Sequence, residues 1–440
     1  MSSTNVSHSE PNPGTNGAPS ALDAVKVINK STVDYPDFKS KPRPKTADEF
    51  IERAKEVAEL LALDVAQRDL NNEIPYKQIQ LLKDAGLVRA LGPVKYGGGG
   101  LEIDIGYKIE REVAAGDGSI GQLLGYHYLW SYTAQVVGTP EQADFEAKRY
   151  TENDYFYGAA VNPRDEDLQI TESEDGKYLI YNGRKAFSTG SKISDLTVLE
   201  GVLNGAHIFA ITESHQEGIK YGDDWNNVLG MRGTQSGSIT ITNVRVPWSS
   251  ALGFVDKQFR PLGAYNTILL PTIQLVFTNF YLGIAQGALA KASRYTVANT
   301  RPWPFAGDVK AKGVGEFYVQ DIYGSLQAKV WGLEAQVDAA GVSIRNLIHR
   351  ENRESLTAEE RGQTAVRVAA AKVQAIEIGL EVTSKIYEVM GARSISLKAG
   401  FDHFWRNIRT HSLHDPVAHK KAEVGRYVLK GELPSPTWYT

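Results

Sequence analysis

The 440-residue sequence predicts an α+β fold with an N-terminal helical domain, a central β-barrel or sandwich and a C-terminal helical bundle. Two observations lead to this fold class. Apolar residues in the first and last parts recur every three or four positions, as on one face of a helix. Between residues of about 155 and 255 they alternate instead, as in half-buried strands. Helices, then strands, then helices is an uncommon order, so it restricts the architecture strongly.

The composition excludes several classes of protein. Lys and Arg (48) nearly balance Asp and Glu (52), and the net charge of −4 gives no indication of nucleic-acid binding. Without any Cys there is no disulfide, no thiolate nucleophile and no metal site built on sulfur. The N-terminus lacks a secretory signal, and no uninterrupted apolar run approaches the roughly 18 residues of a membrane span. We therefore expect a cytoplasmic protein that does not enter a membrane.

Residues 1–45 and 46–153 differ in whether their apolar side chains form a pattern that a core can bury. Residues 1–45 are rich in Ser, Asn, Gly, Pro and Lys, which predicts a flexible leader. Capping-box spacing, which marks the start of a helix, occurs at Thr46–Glu49, Thr139–Gln142 and Thr357–Glu360. Together with the helical spacing of the apolar residues, the first two boxes predict an N-terminal helical domain over 46–153.

The remaining chain divides where the spacing of apolar residues changes. A central β domain is predicted for 154–262, with alternating apolar residues in Ile239–Val246 and hairpin turns at Asp175–Gly176 and Asn182–Gly183. From there the helical spacing returns and continues through three long segments. It predicts a C-terminal helical bundle with a tail over 263–440.

Gly97–Gly100 invites comparison with a phosphate-binding loop. The run lacks the Lys-Ser/Thr ending of a P-loop and the Gly-x-Gly-x-x-Gly spacing that opens a dinucleotide-binding helix. We interpret it as a tight connection between helices.

His411–Asp415 is the densest cluster of titratable side chains. Two His and one Asp suit a facial metal triad, but Pro416 interrupts the rigid surface that such a triad needs, so no metal is expected. A structural pair of buried His residues is the second alternative. We favour the third, a role in an active site.

Three further segments carry polar groups that suit a ligand. Phe187–Gly190 ends a strand with hydroxyl groups, which can bind a planar heteroaromatic ligand but are more often a polar hairpin end. Tyr126 lies in a helical segment, where aromatic residues are usually core. Arg301 ends a long helix and can hold a phosphate, although most such arginines cap carbonyl groups.

Five stretches resemble a known family. They closely resemble the dibenzothiophene monooxygenases within the acyl-CoA dehydrogenase superfamily, and together they span residues from about 50 to 435. The run FWRNIRTHSLHDP, in the last of them, is long and specific. The stretches are Val113–His127, Tyr181–Asp195, Asp223–Ser238, Tyr281–Leu289 and Gly400–Val417.

The resemblance implies a homotetramer that binds reduced flavin mononucleotide (FMN) supplied by a separate flavin reductase. It further implies that this flavin reacts with O₂ to a C4a-hydroperoxide, which oxygenates a small apolar organosulfur or heteroaromatic compound. The alternative is an FAD-dependent acyl-CoA dehydrogenase or nitroalkane-type oxidase. That alternative needs a carboxylate base, which the superfamily carries in a Tyr-Glu-Gly tract, whereas Thr410–His414 has none.

The resemblance also assigns residues by matching position. His414 would lie by the reactive face of the flavin, and His414, Thr189, Tyr126 and Gln122 would have catalytic roles. Gln122 would also line the substrate cavity, together with Trp225 and Leu269. The implied flavin-binding residues are Tyr126, Phe187, Ser188, Thr189, Arg301, Arg393, His411, His414 and Asp415. To these we add Asn162 as a flavin-binding residue, for a reason that follows from Ala159.

Three positions depart from the best-known members of the family. Those proteins have His at the position of Gln122, Asn at Ala159 and Ser at Thr189. A Gln side chain can form hydrogen bonds but cannot deliver a proton as an imidazolium does. Because the methyl group of Ala159 has no polar atom, we expect Asn162 to supply the hydrogen bond in its place. Since these changes surround the reacting centre, the identity of the substrate is the least transferable property.

Overall fold

A computed structural model describes residues 33–162 and 168–437. Residues 1–32 of the predicted leader therefore lie outside the described residues. The remainder of the leader, 33–45, precedes the first helix.

The N-terminal helices begin where the capping boxes predict. Thr46 with Glu49, and Thr139 with Gln142, form reciprocal side-chain-to-backbone hydrogen bonds at two helix starts. The helix over Gly118–Val137 is buried almost all round, which explains why its sequence has no polar face. The helices are α1 (Ala47–Ala62), α2 (Val65–Asn71), α3 (Tyr76–Asp84), α4 (Ile103–Gly116), α5 (Gly118–Val137) and α6 (Pro140–Asn153).

Gly97–Gly100 forms the predicted tight connection, immediately before α4. A Cβ on Gly98 would lie 2.1 Å from the carbonyl oxygen of Gly92, and one on Gly99 would lie 2.6 Å from that of Ala90. Only glycine permits this close approach of two backbone segments.

The central region is a mixed sheet. Its strand order is β1-β4-β2-β3-β7-β6, with β5 also paired to β4. β1 and β2 run parallel to β4, and the other pairs are antiparallel. A separate two-stranded ribbon, β8 with β9, follows. The strands are β1 (Tyr157–Ala160), β2 (Leu168–Glu172), β3 (Tyr178–Lys185), β4 (Leu196–Leu203), β5 (Ala206–Glu213), β6 (Ile219–Tyr221), β7 (Ile239–Pro247), β8 (Phe254–Val255) and β9 (Gln258–Phe259).

One of the two predicted hairpin turns is wrong. Asp175–Gly176 does turn the chain between β2 and β3, as predicted. Asn182–Gly183 instead lies inside β3, where the register with β7 shifts. Gly183 has a φ of +131° at this irregularity. An Asn-Gly pair tolerates the backbone conformations of a β-bulge as readily as those of a turn, so the dipeptide alone does not distinguish them.

The C-terminal region is the predicted helical bundle. Thr357 and Glu360 form the third capping box. Gly263–Asn299 is long and apolar enough to cross a membrane by length and composition, but 89% of its most apolar window is buried inside the protein. Its helical part, α7, packs against α4, α5, α8 and α9 and forms the centre of the core. The helices are α7 (Leu269–Asn299), α8 (Phe317–Ile348), α9 (Ala358–Met390), α10 (Asp402–His411) and α11 (Val417–Lys430).

Candidate active site

His411, the last residue of α10, bridges the hydroxyl groups of two other helices. Its Nδ1 lies 2.6 Å from the hydroxyl of Tyr281 on α7. Its Nε2 lies 3.4 Å from the hydroxyl of Tyr126 on α5. The structure therefore unites three residues that are far apart in the sequence.

Aromatic rings of α7 surround the same imidazole. The ring centroids of Phe277 and Phe280 lie 4.6 and 4.8 Å from that of His411. Burial lowers the pKa of His411 well below its usual value, and His414 and Lys372 shift it further in the same direction. His411 is therefore a neutral imidazole in a desolvated pocket.

Asp415 is held by a buried lysine. The ammonium of Lys372, on α9, lies 2.5 and 2.6 Å from the two carboxylate oxygens, and Nδ1 of His414 lies 3.2 Å from one of them. Burial alone would raise the pKa of Asp415, but the hydrogen bond from His414 and the charge of Lys372 lower it overall. Burial lowers the pKa of Lys372, and Asp415 opposes that change. His414 thus bonds to a carboxylate whose charge is already balanced.

The end of β3 supplies the hydroxyl groups. Ser188 donates to the carbonyl oxygen of Gly237 at 2.6 Å, and the hydroxyls of Thr189 and Ser236 lie 2.9 Å apart. Phe187 has a φ of +55° and a ring that is 63% exposed, edge-on to the ring of Trp225 at 6.1 Å. A strained backbone and an exposed aromatic ring at one strand end are typical of a ligand-binding surface.

The N-terminal half of α5 brings the strand end and the histidine cluster together. A Cβ on Gly190 would lie 3.0 Å from the Leu123 side chain, so the strand end packs against α5 one turn before Tyr126. The loop after Trp225 packs on α10, because the backbone N–H of Met231 donates to Asn407 at 2.7 Å. The candidate site is therefore the junction of α5, α7, α10 and the end of β3.

One face of α5 carries unpaired polar atoms at this junction. Gln122, Tyr126 and Trp130 are spaced four residues apart, so they lie on the same face of the helix. Within the described part of the chain, Oε1 of Gln122 and Nε1 of Trp130 are buried without a hydrogen-bond partner. Buried polar atoms normally have partners, so this face indicates a missing ligand.

Other predicted site residues lie around this centre. Asn162 follows β1, and its carbonyl oxygen accepts a hydrogen bond from Lys185 at 3.0 Å. Ala159, on β1, donates its N–H to the carbonyl oxygen of Thr189. Leu269 begins α7, two helical turns before the aromatic pocket, and is buried.

Arg301 and Arg393 do not lie at this junction in their own chain. Arg393 donates to the carbonyl oxygen of Asn299, the last residue of α7, and Arg301 is exposed just beyond it. Phe280 and Asn299 are 19 positions apart, which is roughly 28 Å along a helix.

Sequence reasoning missed Lys372, Tyr281 and Trp130 as site residues. The sequence does contain a signal for Lys372, because this residue interrupts an otherwise apolar face of α9 next to Val368 and Ala375. A lysine on a core face needs a buried counter-ion.

The metal alternative for the His411–Asp415 cluster finds no support. Across residues 33–162 and 168–437, no three His, Asp or Glu side chains are close enough together to hold a metal ion.

The side chains fit a flavin. A flavin is a flat aromatic ring with a polar edge, and the site presents the exposed ring of Phe187, the hydroxyl of Thr189 and the unpaired amide oxygen of Gln122. Such groups can stack on the ring and hydrogen-bond to its edge. Arg301 and Arg393 are cations of the kind that bind phosphate.

Comparisons with known proteins agree with this fold. Residues 44–147 and 275–418 match the family models of the acyl-CoA dehydrogenase N-terminal and C-terminal domains. A dibenzothiophene monooxygenase of Mycolicibacterium goodii is 37% identical over 403 residues, which cover 88% of this chain and 95% of that protein. A Pseudomonas putida protein named "Probable FMNH2-dependent monooxygenase SfnC" is 33% identical, over 91% of this chain and 98% of its own length. The structure of TdsC from Paenibacillus sp. A11-2 with FMN and indole superposes with a TM-score of 0.83, at 34% identity, and covers 89% of this chain and all of that one (100%).

The chain therefore belongs to the acyl-CoA dehydrogenase family. Within that family the particular likeness is to the dibenzothiophene monooxygenases, which this chain matches nearly from end to end.

Proposed function

We propose that this protein is a monooxygenase that uses reduced FMN and O₂, by way of the C4a-hydroperoxide implied by the resemblance, to oxygenate a small apolar organosulfur or heteroaromatic compound. The observation that carries the proposal is one face of α5, where Gln122 and Trp130 leave buried polar atoms unpaired on either side of Tyr126, which contacts His411. The relatives named as FMNH2-dependent and dibenzothiophene monooxygenases support it.

When bound, reduced FMN supplies the electrons with which O₂ is activated. The chain's own contribution is to exclude water and to hold protons. Tyr126, Phe277, Phe280 and Tyr281 enclose His411, so the reacting centre is shielded from solvent. Burial raises the pKa of both Tyr126 and Tyr281, so both hydroxyl groups keep their protons. The neutral imidazole of His411 accepts a hydrogen bond from one of these hydroxyls and donates to the other.

His414 is the residue that we assign to proton transfer. Its Nδ1 is engaged by Asp415, which orients the ring and leaves Nε2 to hold or give a proton. Lys372 fixes Asp415 as an acceptor, and so it positions His414 without contacting it. Thr189, linked to Ser236, is the second donor that we assign to the site.

The carboxyl groups near the site argue against a dehydrogenase. Asp415 is a weak base, because His414 and Lys372 hold its pKa low. Such a weak base is unsuited to remove the α-proton of an acyl thioester. Glu110, on α4, is the other buried carboxyl group here; it packs against Gly125 of α5, and burial raises its pKa well above the usual value.

The wall at the end of β3 is assigned to the flavin and the substrate. Phe187, Ser188 and Asn162 would hold the flavin, while Trp225 and Leu269 would contact the apolar substrate. The TdsC structure that contains both FMN and indole supports a site that takes a flavin and a small aromatic ligand together.

The two exposed arginines support contact between copies of this chain, for which the resemblance implies a homotetramer. Arg301 and Arg393 lie roughly 28 Å along α7 from the pocket of their own chain, so we propose that they bind the flavin phosphate held by another copy. Replacing Arg301 with Ala should then weaken FMN binding by about 1–3 kcal/mol, the value of a charge-assisted hydrogen bond. Titration with FMN, with sedimentation analysis of the same sample, tests this. Unchanged affinity in a stable tetramer would reject the role.

The decisive experiment supplies the purified protein with FMN, a separate flavin reductase, NADH and ¹⁸O₂. We expect one labelled oxygen atom in the product of dibenzothiophene, a sulfide or indole, and none when the protein or the reductase is omitted. Protein that retains FAD on purification, and that an acyl-CoA or a nitroalkane reduces, would establish the alternative function instead.

A further inference from the structure

Arg361 differs from the other buried cations of the protein. In the described residues the buried cationic side chains other than Arg361 each have a carboxylate oxygen within 4.0 Å. Arg361 is 0% exposed and has no such partner among residues 33–162 and 168–437. The paired cations are Arg68, Arg89, Arg111, Lys185, Lys372 and Lys420.

Only neutral oxygens contact the Arg361 guanidinium. Its Nε donates to the hydroxyl of Thr267 at 3.1 Å, and its Nη2 donates to the carbonyl oxygens of Thr267 and Thr437 at 3.0 and 3.4 Å. Its Nη1 is buried and has no hydrogen-bond partner in the described chain. The Thr267 hydroxyl donates to Ala264, so it serves Arg361 as an acceptor and fixes the plane of the guanidinium.

The charge of Arg361 is retained at neutral pH. Burial lowers the pKa of Arg361 to about 10, and the charge of Glu423 opposes this shift. Glu423 does not serve as its counter-ion, because Lys420 binds both of its oxygens at 2.8 and 3.0 Å. A buried cation without a counter-ion is costly, so the arrangement indicates an anion that residues 33–162 and 168–437 do not supply.

We propose that Arg361 binds the carboxylate or sulfinate group of a small organic acid. A planar guanidinium with a free N–H matches the oxygens of either group. Two side chains enclose this end of α9. Thr267 lies on one side, and Leu433, which lies against Gly362, is on the other. An anion bound there is shielded from solvent and from competing salt.

The position of Arg361 restricts the substrate class, and this step rests on the proposed function. Thr267 lies two residues before Leu269, which is assigned to the substrate cavity. Leu269 and Phe277 are eight positions apart on α7, roughly 12 Å along the helix axis. A substrate would therefore carry its acid group at one end of an apolar body about two aromatic rings long, with the oxygenated atom at the other end.

Calorimetric titration of the flavin-free protein tests the acid site. The two ligands are biphenyl-4-carboxylate and its neutral isostere, biphenyl-4-carboxamide. We expect the carboxylate to bind at least about tenfold more tightly than the carboxamide, which corresponds to one charge-assisted hydrogen bond. Equal affinities, or no measurable heat with either ligand, would overturn the proposal.

Two variants locate the binding. Arg361→Gln should abolish the preference for the carboxylate. Arg353→Gln should retain it, because Arg353 also donates to a neutral backbone oxygen, that of Gln135, but is not fully buried. If Arg361→Gln does not fold, Thr267→Val decides instead, because it removes the hydroxyl that orients the guanidinium. A preference that survives in Arg361→Gln, or in Thr267→Val when that variant decides, rejects Arg361 as the anion site.

The two proposals fail separately. The titration contains no flavin, so a negative result rejects the acid site and leaves the monooxygenase proposal standing. Failure to incorporate ¹⁸O into any substrate, whether neutral or an aryl carboxylate, would reject the monooxygenase and leave the acid site standing.

Discussion

The candidate site has two walls that are built in opposite ways. The bundle wall consists of His411, His414 and Asp415 with the helical residues that contact them, and the sheet wall consists of Trp225 and the end of β3 from Phe187 to Gly190. On the bundle wall, His411 is buried and bonded at both ring nitrogens, and Asp415 is balanced by Lys372. On the sheet wall, Phe187 is 63% exposed with a positive φ, beside a partly exposed Trp225. The bundle wall is fixed before any ligand binds, whereas the sheet wall presents surface that a ligand would cover. We therefore expect substitutions on the bundle wall to change stability and proton chemistry, and those on the sheet wall, apart from the donor Thr189, to change affinity.

The largest effect should come from Lys372→Met. Removing the lysine leaves the Asp415 carboxylate without its counter-charge, which should lower the free energy of unfolding by about 3 kcal/mol. Chemical denaturation at pH 7.5 measures this. The double variant Lys372→Met/Asp415→Asn is the control and should recover more than half of the loss. Wild-type stability in the single variant would contradict a fixed bundle wall.

His414→Ala should separate chemistry from binding. Without the imidazole, we expect the fraction of consumed O₂ released as H₂O₂ to rise about tenfold, the low end of what one acid–base group contributes. The dissociation constant of FMN should stay within about threefold of the wild-type value, since the sheet wall is intact. Peroxide assays and flavin titration give the two quantities, and unchanged coupling would reject the role of His414.

The pH dependence of stability should come from the helical regions. His127, His403 and His411 are buried, and burial lowers the pKa of each, that of His127 to about 4. Because the folded pKa lies below the unfolded value of about 6.5, the unfolded chain binds more protons, and stability is lost as the pH falls below about 6.5. At pH 5.5 each histidine should cost about 1.4 kcal/mol.

His403→Gln provides the sharpest test of this pH dependence, since neither ring nitrogen of His403 has a hydrogen-bond partner in the described chain. The loss of unfolding free energy between pH 7.5 and 5.5 should shrink by about 1.4 kcal/mol in the variant. Denaturation series at both pH values measure it. A loss as large as that of the wild type would show that His403 does not remain neutral in the folded protein.

Phe187→Ala should give the smallest effect, on the sheet wall. Loss of the ring should weaken FMN binding about fivefold, close to the value of one aromatic contact. Stability and the H₂O₂ fraction should not change, and Phe187→Tyr should restore affinity. A rise in H₂O₂ release would show that the two walls do not divide binding from proton chemistry.

Short sequence motifs predicted the structure correctly where that structure depends on residues close together in the chain. The capping boxes at Thr46, Thr139 and Thr357 all begin helices, because a cap involves residues only three positions apart. Asn182–Gly183 misled because one dipeptide satisfies two different backbone geometries, and only the pairing of β3 with β7 distinguishes them.

The candidate site was only partly predictable, because signals in the sequence are limited to residues that are close together along the chain. The HSLHDP tract and the strand end at Phe187 could be singled out, because several polar residues are close together in the sequence. Lys372 is 43 positions from Asp415, and Tyr281 is 130 positions from His411. Such pairs depend on how helices pack, which periodicity alone does not specify.

The burial of α7 has a consequence for biosynthesis. This helix leaves the ribosome after α4 and α5, which cover part of its surface, but before α9, which covers another part. Until synthesis of the bundle is complete, the nascent chain therefore carries a long apolar helix with one side exposed to solvent. Chaperones bind intermediates of this kind, which aggregate when chaperones are limiting. The yield of active protein in a heterologous host should depend on chaperone supply and on translation rate across the α7–α9 interval.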